Sequence, residues 1–207
     1  MANNEVQIAN TALLSLGQEM ITALTANETN AKKVNAIFGQ IVEELQADDW
    51  FFNRARCSIS KDGTDPTFGR YDYRYVLPSN CVFIRGLCDR DNDDTRYEFV
   101  REGRYILTNQ TSPVYLLYNE KIINTANGQP DISKMPLWFH RLISARIAYI
   151  LAPNMTENQR IRSKAEMEYQ RAYTSAREKN GEDAYVEDEQ GDHNWRDGAR
   201  NYDEMNI

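Results

Sequence analysis

Histidine and cysteine are scarce in this chain. The two histidines, His140 and His193, stand far apart, one among apolar residues and one in a polar stretch, so no shared metal is expected of them. The three cysteines, Cys57, Cys81 and Cys88, are odd in number and show no C-x-x-C spacing. That argues against a disulfide framework or a zinc site and leaves buried free thiols as the expectation. Long apolar runs are absent too, since nothing approaches the roughly 18 residues that span a bilayer. The start, Met1-Ala2-Asn3-Asn4-Glu5, has neither a basic n-region nor an apolar h-region. The expectation is a soluble protein made in a cytoplasm, in which the glycosylation sequons at Asn27, Asn109 and Asn154 are chance matches.

The familiar catalytic signatures are missing: no G-x-G-x-x-G, Walker A loop, H-E-x-x-H or G-x-S-x-G occurs. Adjacent acids at Glu43-Glu44 and Asp48-Asp49 point about 100° apart on a helix, so they do not face one another across a substrate. Asp89, Asp91, Asp93 and Glu98 begin like a calcium-binding EF-hand loop, but Asp94 stands where glycine is needed and Val100 where the bidentate Glu belongs. A polar hairpin tip is the expectation there. A basic footprint is lacking as well: Arg54, Arg56, Arg70, Arg74, Arg85, Arg90, Arg96, Arg101 and Arg104 are nearly balanced by acids, so base readout is not expected. No enzyme, cofactor or metal is predicted.

What is present is a chain of 207 residues, 41 % hydrophobic and 27 % charged, which suits one core-bearing globular unit of ordinary size, or one unit plus an appendage. Its charge is unevenly placed. Of the 31 acids and 24 bases, nine acids and two bases fall in residues 181–207, so that stretch carries −7 and residues 1–180 sum to zero. The composition of 181–207 reads either as disorder or as a docking segment, because Tyr185, Trp195, Tyr202, Met205 and Ile207 are spaced along it.

Periodicity divides the rest. Val6, Ala9, Leu13 and Leu16 predict a short first helix closed by Gly17. From Thr25 to Asn53 a long amphipathic helix is predicted, opened by a Thr25/Glu28 capping box, striped by Val34, Ile37, Phe38, Ile41, Val42 and Leu45, and running into the aromatic knot Trp50-Phe51-Phe52-Asn53. Five or six short strands follow at 57–60, 71–77, 81–85, 97–100, 104–107 and 114–118, with a hairpin turn at Glu102-Gly103. A third helix opens at Met135-Pro136 and is expected to stop at Pro153; a fourth opens at a Thr156/Gln159 capping box, with Ile161, Ala165, Tyr169, Ala172 and Ala176 on its narrow face. The fold expected is α+β, mainly α: a four-helix bundle from residues 1–53 and 131–180, a small antiparallel sheet or barrel inserted at 54–130, and an extended acidic tail at 181–207. The long helix would be the spine of the bundle.

Several pieces in order resemble one family. They are Ala12-Leu13-Leu14-Ser15-Leu16-Gly17-Gln18 with Ile21 and Leu24, then Ala31 and Leu45, then Asp49-Trp50-Phe51-Phe52-Asn53. Tyr75-Val76-Leu77-Pro78, Gly103-Arg104-Tyr105 and Met135-Pro136 with Phe139 and Ala145 follow. Over roughly residues 8–150 the chain resembles the tail tubular protein A family, the head-to-tail adaptor or gatekeeper proteins of short-tailed bacteriophages. The resemblance implies a non-enzymatic virion protein of the neck region, assembled with itself as a ring of about twelve subunits by a repeated heterologous interface. It implies as partners the portal protein above, the next tail or nozzle protein below, and passing DNA without sequence-specific binding. The balanced charge of the body suits such an interface. Tyr185, Trp195, Tyr202, Met205 and Ile207 are the candidate partner-binding residues, on the portal or on a neighbouring subunit. Two other classes stand beside this one: a phage wall hydrolase working through a carboxylate pair, and an assembly chaperone or scaffolding module that leaves the particle.

Overall fold

A computed structural model describes residues 4–66, 69–90 and 96–191, with side chains as far as 183. Two compact units emerge, one from Met1–Val34 with Pro136–Ile207 and one from Asn35–Met135.

The first unit is helical. Helix α1 (Asn4–Ser15) buries Ile8, Ala9, Ala12 and Leu13. It closes as a Schellman motif: Gly17 takes φ +70°, its N–H donates to the Leu14 carbonyl at 3.0 Å, and Gln18 N–H donates to Leu13 at 2.9 Å. Helix α2 (Thr29–Gln46) starts in this unit. Its first turn is opened by the Glu28 carbonyl, which accepts Lys32 N–H, so the Thr25/Glu28 capping box does not form and the helix is shorter than predicted at both ends.

Helix α3 (Leu137–Met155) follows a Pro136 N-cap and is buried along Phe139, Leu142, Ile143, Ser144, Ile147, Ala148, Leu151 and Ala152. Contrary to expectation, Pro153 lies inside it. Pro153 lacks the N–H that would reach Tyr149, but the helix runs on only to Met155 and Thr156 N–H still reaches Ala152, so the last turn closes around it. The last carbonyls of α3 are capped by side chains from three directions. Gln18 Nε2 donates to Met155 at 2.9 Å, Lys33 Nζ to Asn154 at 3.2 Å, and Arg162 donates to Thr156 at 2.8 Å and to Pro153 at 3.4 Å. Two of the three donors are cations, as the negative end of a helix favours.

Helix α4 (Gln159–Gly191) is capped by Asn158, whose Oδ1 accepts Arg160 N–H at 2.9 Å, rather than by Thr156. It buries Ala165, Ala172 and Ala176.

The second unit is mostly β. A 3-10 turn (Phe51–Asn53) leads into β1 (Arg54–Ile59), β2 (Tyr73–Val76), β3 (Cys81–Cys88), β4 (Val100–Glu102), β5 (Tyr105–Thr108) and β6 (Val114–Glu120). Two antiparallel three-stranded sheets form, in the orders β1-β6-β3 and β2-β5-β4. The β4–β5 hairpin turns at Gly103, with φ +59°, as the Glu102-Gly103 pair predicts. Alternate residues of both sheets share one core, with Tyr75, Leu87, Ile106 and Leu116 fully buried.

The four-helix bundle is therefore not the fold. The described residues form a mixed α+β fold of four α-helices and two small sheets, and α2 is not a bundle spine. Its close helix pairs are α1 with α3 and α3 with α4. From Asn35 onward α2 belongs to the unit that holds the strands. The physical reason is a set of buried hydrogen bonds that ties the end of α2 to β6, described below. The tail expectation is corrected too, because α4 continues as helix to Gly191 instead of giving way to an extended segment at 181. Propagating an existing helix needs no new nucleus, so it tolerates the roughly 1 kcal/mol cost of Gly181, and Lys179 pairs with Glu182 at 2.6 Å across the glycine.

Candidate interaction surfaces

The aromatic knot is a buried lock. Trp50 is 0 % exposed, its Nε1 donates to the Leu45 carbonyl at 2.5 Å, and its ring stacks on Phe52. Asn119 of β6, also fully buried, donates through Nδ2 to the Trp50 carbonyl at 2.8 Å and to Asn53 Oδ1 at 2.7 Å. Asn53 Nδ2 donates to the Gln46 carbonyl at 3.1 Å, while Gln46 Oε1 accepts Ile122 N–H at 2.6 Å. An ion pair between Lys121 and Glu43 at 2.6 Å closes the same junction from outside. A network like this fixes one arrangement, because breaking any member strands a buried polar group. Trp50 is thus core and presents no surface to a partner.

Four arginines of the second unit are held by acids or rings. Asp49 faces Arg54 at 3.4 Å and Arg85 at 3.9 Å, Arg70 pairs with Glu98 at 3.5 Å, and Arg74 pairs with Asp62. Arg54 also lies over Phe51 and Arg74 over Tyr105. Asp49 and Glu43, from the two adjacent acid pairs, are therefore in ion pairs. A depression of about 290 Å³ lined by Arg56, Ser58, Cys88, Asp89, Arg90 and Tyr115 carries both signs of charge.

Thiol chemistry is suppressed. Cys57 and Cys81 are half-buried and Cys88 is buried, and burial pushes the Cys57 and Cys81 thiols up from their ordinary range, away from the nucleophilic thiolate. Tyr118, 6 % exposed, is pushed up to about 12, first by burial and then by the neighbouring Cys57 and Glu120. Among the described residues no group of three or more His, Cys, Asp or Glu is placed to hold a metal, and no helix is long and apolar enough to cross a membrane. His140 lines a depression of about 260 Å³ with Gln7, Ile8, Thr11, Leu137 and Ser144.

On the helical unit the structure assembles a stripe that sequence reading missed. Tyr149 of α3 stacks on Tyr169 of α4, centroids 5.5 Å apart and planes 13° from parallel. Tyr173 continues the row at 6.3 Å. Arg146 lies 4.9 Å over Tyr169, and Arg177 lies 5.4 Å over Tyr173 and donates to its hydroxyl at 3.1 Å. Tyr149 is 36 % exposed, Arg177 is exposed, and Arg146, Tyr169 and Tyr173 are half-buried. The steps of four from Tyr169 to Arg177 and of three from Arg146 to Tyr149 are the signal that could have revealed it. Periodicity alone places Tyr169 with the alanine face instead.

Of the predicted partner-binding residues, Tyr185 falls on the C-terminal stretch of α4, where only the backbone is described. Trp195, Tyr202, Met205 and Ile207 lie outside the described residues, as do His193 and residues 91–95 of the EF-like loop. Set against protein-family models and curated proteins, the chain matches none.

Proposed function

We propose that this chain is a structural subunit of a phage particle: a head-to-tail adaptor that assembles as a ring below the portal, extends the DNA channel and carries the next tail component. The observation that supports this most is where the pieces resembling the tail tubular protein A family fall. Trp50-Phe51-Phe52-Asn53, between α2 and β1, makes the lock to β6, Tyr75-Val76-Leu77-Pro78 ends β2, Gly103-Arg104-Tyr105 turns the β4–β5 hairpin, and Met135-Pro136 caps α3. Each piece sits at a junction that sets chain direction, the kind of position a shared scaffold would need to keep. The charge pattern also agrees, with residues 1–180 neutral in sum and the −7 gathered in 181–207. A neutral body with mixed charge suits a subunit meeting copies of itself, and a concentrated acidic end suits a basic partner surface such as a portal could offer.

The reading is tested by negative-stain imaging and native mass spectrometry of the purified chain with and without portal rings. The expected result is closed rings of about twelve copies that co-sediment with portal, and loss of co-sedimentation when residues 182–207 are deleted. Peptidoglycan turnover without rings would overturn it, as would absence of the chain from purified virions.

A further inference from the structure

One row on the outer face of α4 has an ordered charge pattern. Arg160, Lys164, Met167, Arg171, Glu178 and Glu182 are all exposed, Met167 by 52 %. At 3.6 residues per turn they fall within about 60° of one another, roughly 130° round the helix from the buried Ala165, Ala172 and Ala176. The cations hold the first half of the row and the carboxylates the second. Arg160 and Lys164 are thus like charges four residues apart, as are Glu178 and Glu182, a spacing at which like charges weaken a helix on its own. From Gly181 to Gly191 the sequence holds five acids and no base, at the helix end where the dipole favours cations. Glu168 answers Arg171 at 3.4 Å and Lys179 answers Glu182 at 2.6 Å, but exposed pairs of this kind hold little. A second helix of the same pattern, running the other way, would set opposite charges against both halves.

We propose that two copies of this chain pair along this row, with their α4 helices antiparallel. A single register serves both ends. With Lys164 opposite Glu178 of the second copy, Arg160 falls opposite its Glu182, and the two-fold axis repeats both pairs. Arg171 lies at the axis, where Glu168 of its own copy already meets its charge, and Met167 is covered to either side. A parallel pair would set like against like along the whole row, so charge fixes the antiparallel sense. Such a contact uses the same surface twice and closes at two copies. It does not propagate around a ring, and it therefore belongs to the subunit before assembly and stands apart from the ring reading.

Sedimentation velocity of the full chain over a concentration series, at low and at high salt, tests the proposal. The native chain should form dimers that dissociate as salt rises, because the pairs are exposed and screened. Arg160→Glu with Lys164→Glu should weaken the dimer at least about a hundred-fold, and so should Glu178→Lys with Glu182→Lys, since each sets like charges opposite one another. An equimolar mixture of these two variants should pair again, as should the chain that carries all four changes. The positions are exposed, and an unchanged thermal unfolding midpoint shows that a variant folds; if one pair of changes does not fold, the other serves alone. A native chain that is monomeric at low salt, or dimers that persist in a folded variant, would overturn the proposal. Rings without dimers would overturn it and leave the ring reading standing, whereas dimers without rings would do the reverse.

Discussion

Replacing Trp50 by alanine probes the junction that determines how α2 is used. The indole is 0 % exposed, stacks on Phe52 and donates to the Leu45 carbonyl, so the variant loses a fully buried aromatic and leaves a carbonyl at the end of α2 without its donor. Emptying a buried aromatic site costs about 3–5 kcal/mol, and the stranded carbonyl puts the expected total toward the upper end of that range, about 4–5 kcal/mol. At about 2–4 °C per kcal/mol for a chain of this size, the unfolding midpoint should fall by about 8–20 °C. Trp50→Phe keeps most of the ring and loses only the donor and some volume, so about 1–2 kcal/mol is expected. Hydrogen exchange read by peptide mass spectrometry localises the effect. Protection should collapse in β6 and the end of α2, which share the Asn119–Trp50–Asn53–Gln46 network, while α3 and α4 keep theirs. A loss below about 1 kcal/mol, or one spread evenly over both units, would refute the lock.

Three further outcomes are expected. Gly17→Ala forces a side chain into the φ +70° conformation at the end of α1; because an added Cβ meets nothing within 4 Å, the cost is backbone strain alone, about 1–2 kcal/mol by thermal or urea unfolding. Arg162→Ala removes two caps from the last carbonyls of α3 and should cost about 1–2 kcal/mol, with exchange rising first around Pro153–Thr156. Tyr118 gives a pH dependence: its folded value of about 12 lies above the unfolded 10.0, so the fold favours the protonated phenol, and that contribution is complete below pH 10 and lost as pH rises through about 12. Two units correspond to about 2–3 kcal/mol, so stability should fall more steeply between pH 10 and 12 in the parent than in Tyr118→Phe; identical slopes would refute the assignment.

Local chemistry was legible in the residues alone. Leu13 to Gly17 closes α1 because only glycine takes the left-handed conformation without strain. Glu102-Gly103 turns its hairpin for the same reason, and Met135-Pro136 opens α3 because a proline needs no N–H partner there. Alternating runs with an apolar face become strands, so β1, β2, β3, β5 and β6 could be named in advance; the expected strand at 97–100 is instead β4 at Val100–Glu102, exposed along its length and held by pairing with β5. What an apolar face packs against is a different kind of information. The stripe Phe38, Ile41, Val42 and Leu45 says that one side of α2 is buried and is silent on whether helix or sheet meets it, since every partner removes the same area from water. The answer came from polar groups distant in sequence. Gln46 and Trp50 find Asn119 and Ile122 only once β6 is in place, and burial leaves them no other way to satisfy their hydrogen bonds. The Tyr–Arg stripe has the same origin, because Arg146 and Tyr149 of α3 meet Tyr169, Tyr173 and Arg177 only when α3 and α4 pack side by side. The sequence by itself determined roughly where helices and strands lie and where Gly17 and Gly103 turn the chain, through interactions a few residues long, but not where α2, α3 and α4 end; the tertiary structure alone decided which unit α2 completes and which side chains share a surface, because those depend on contacts between segments far apart in the chain.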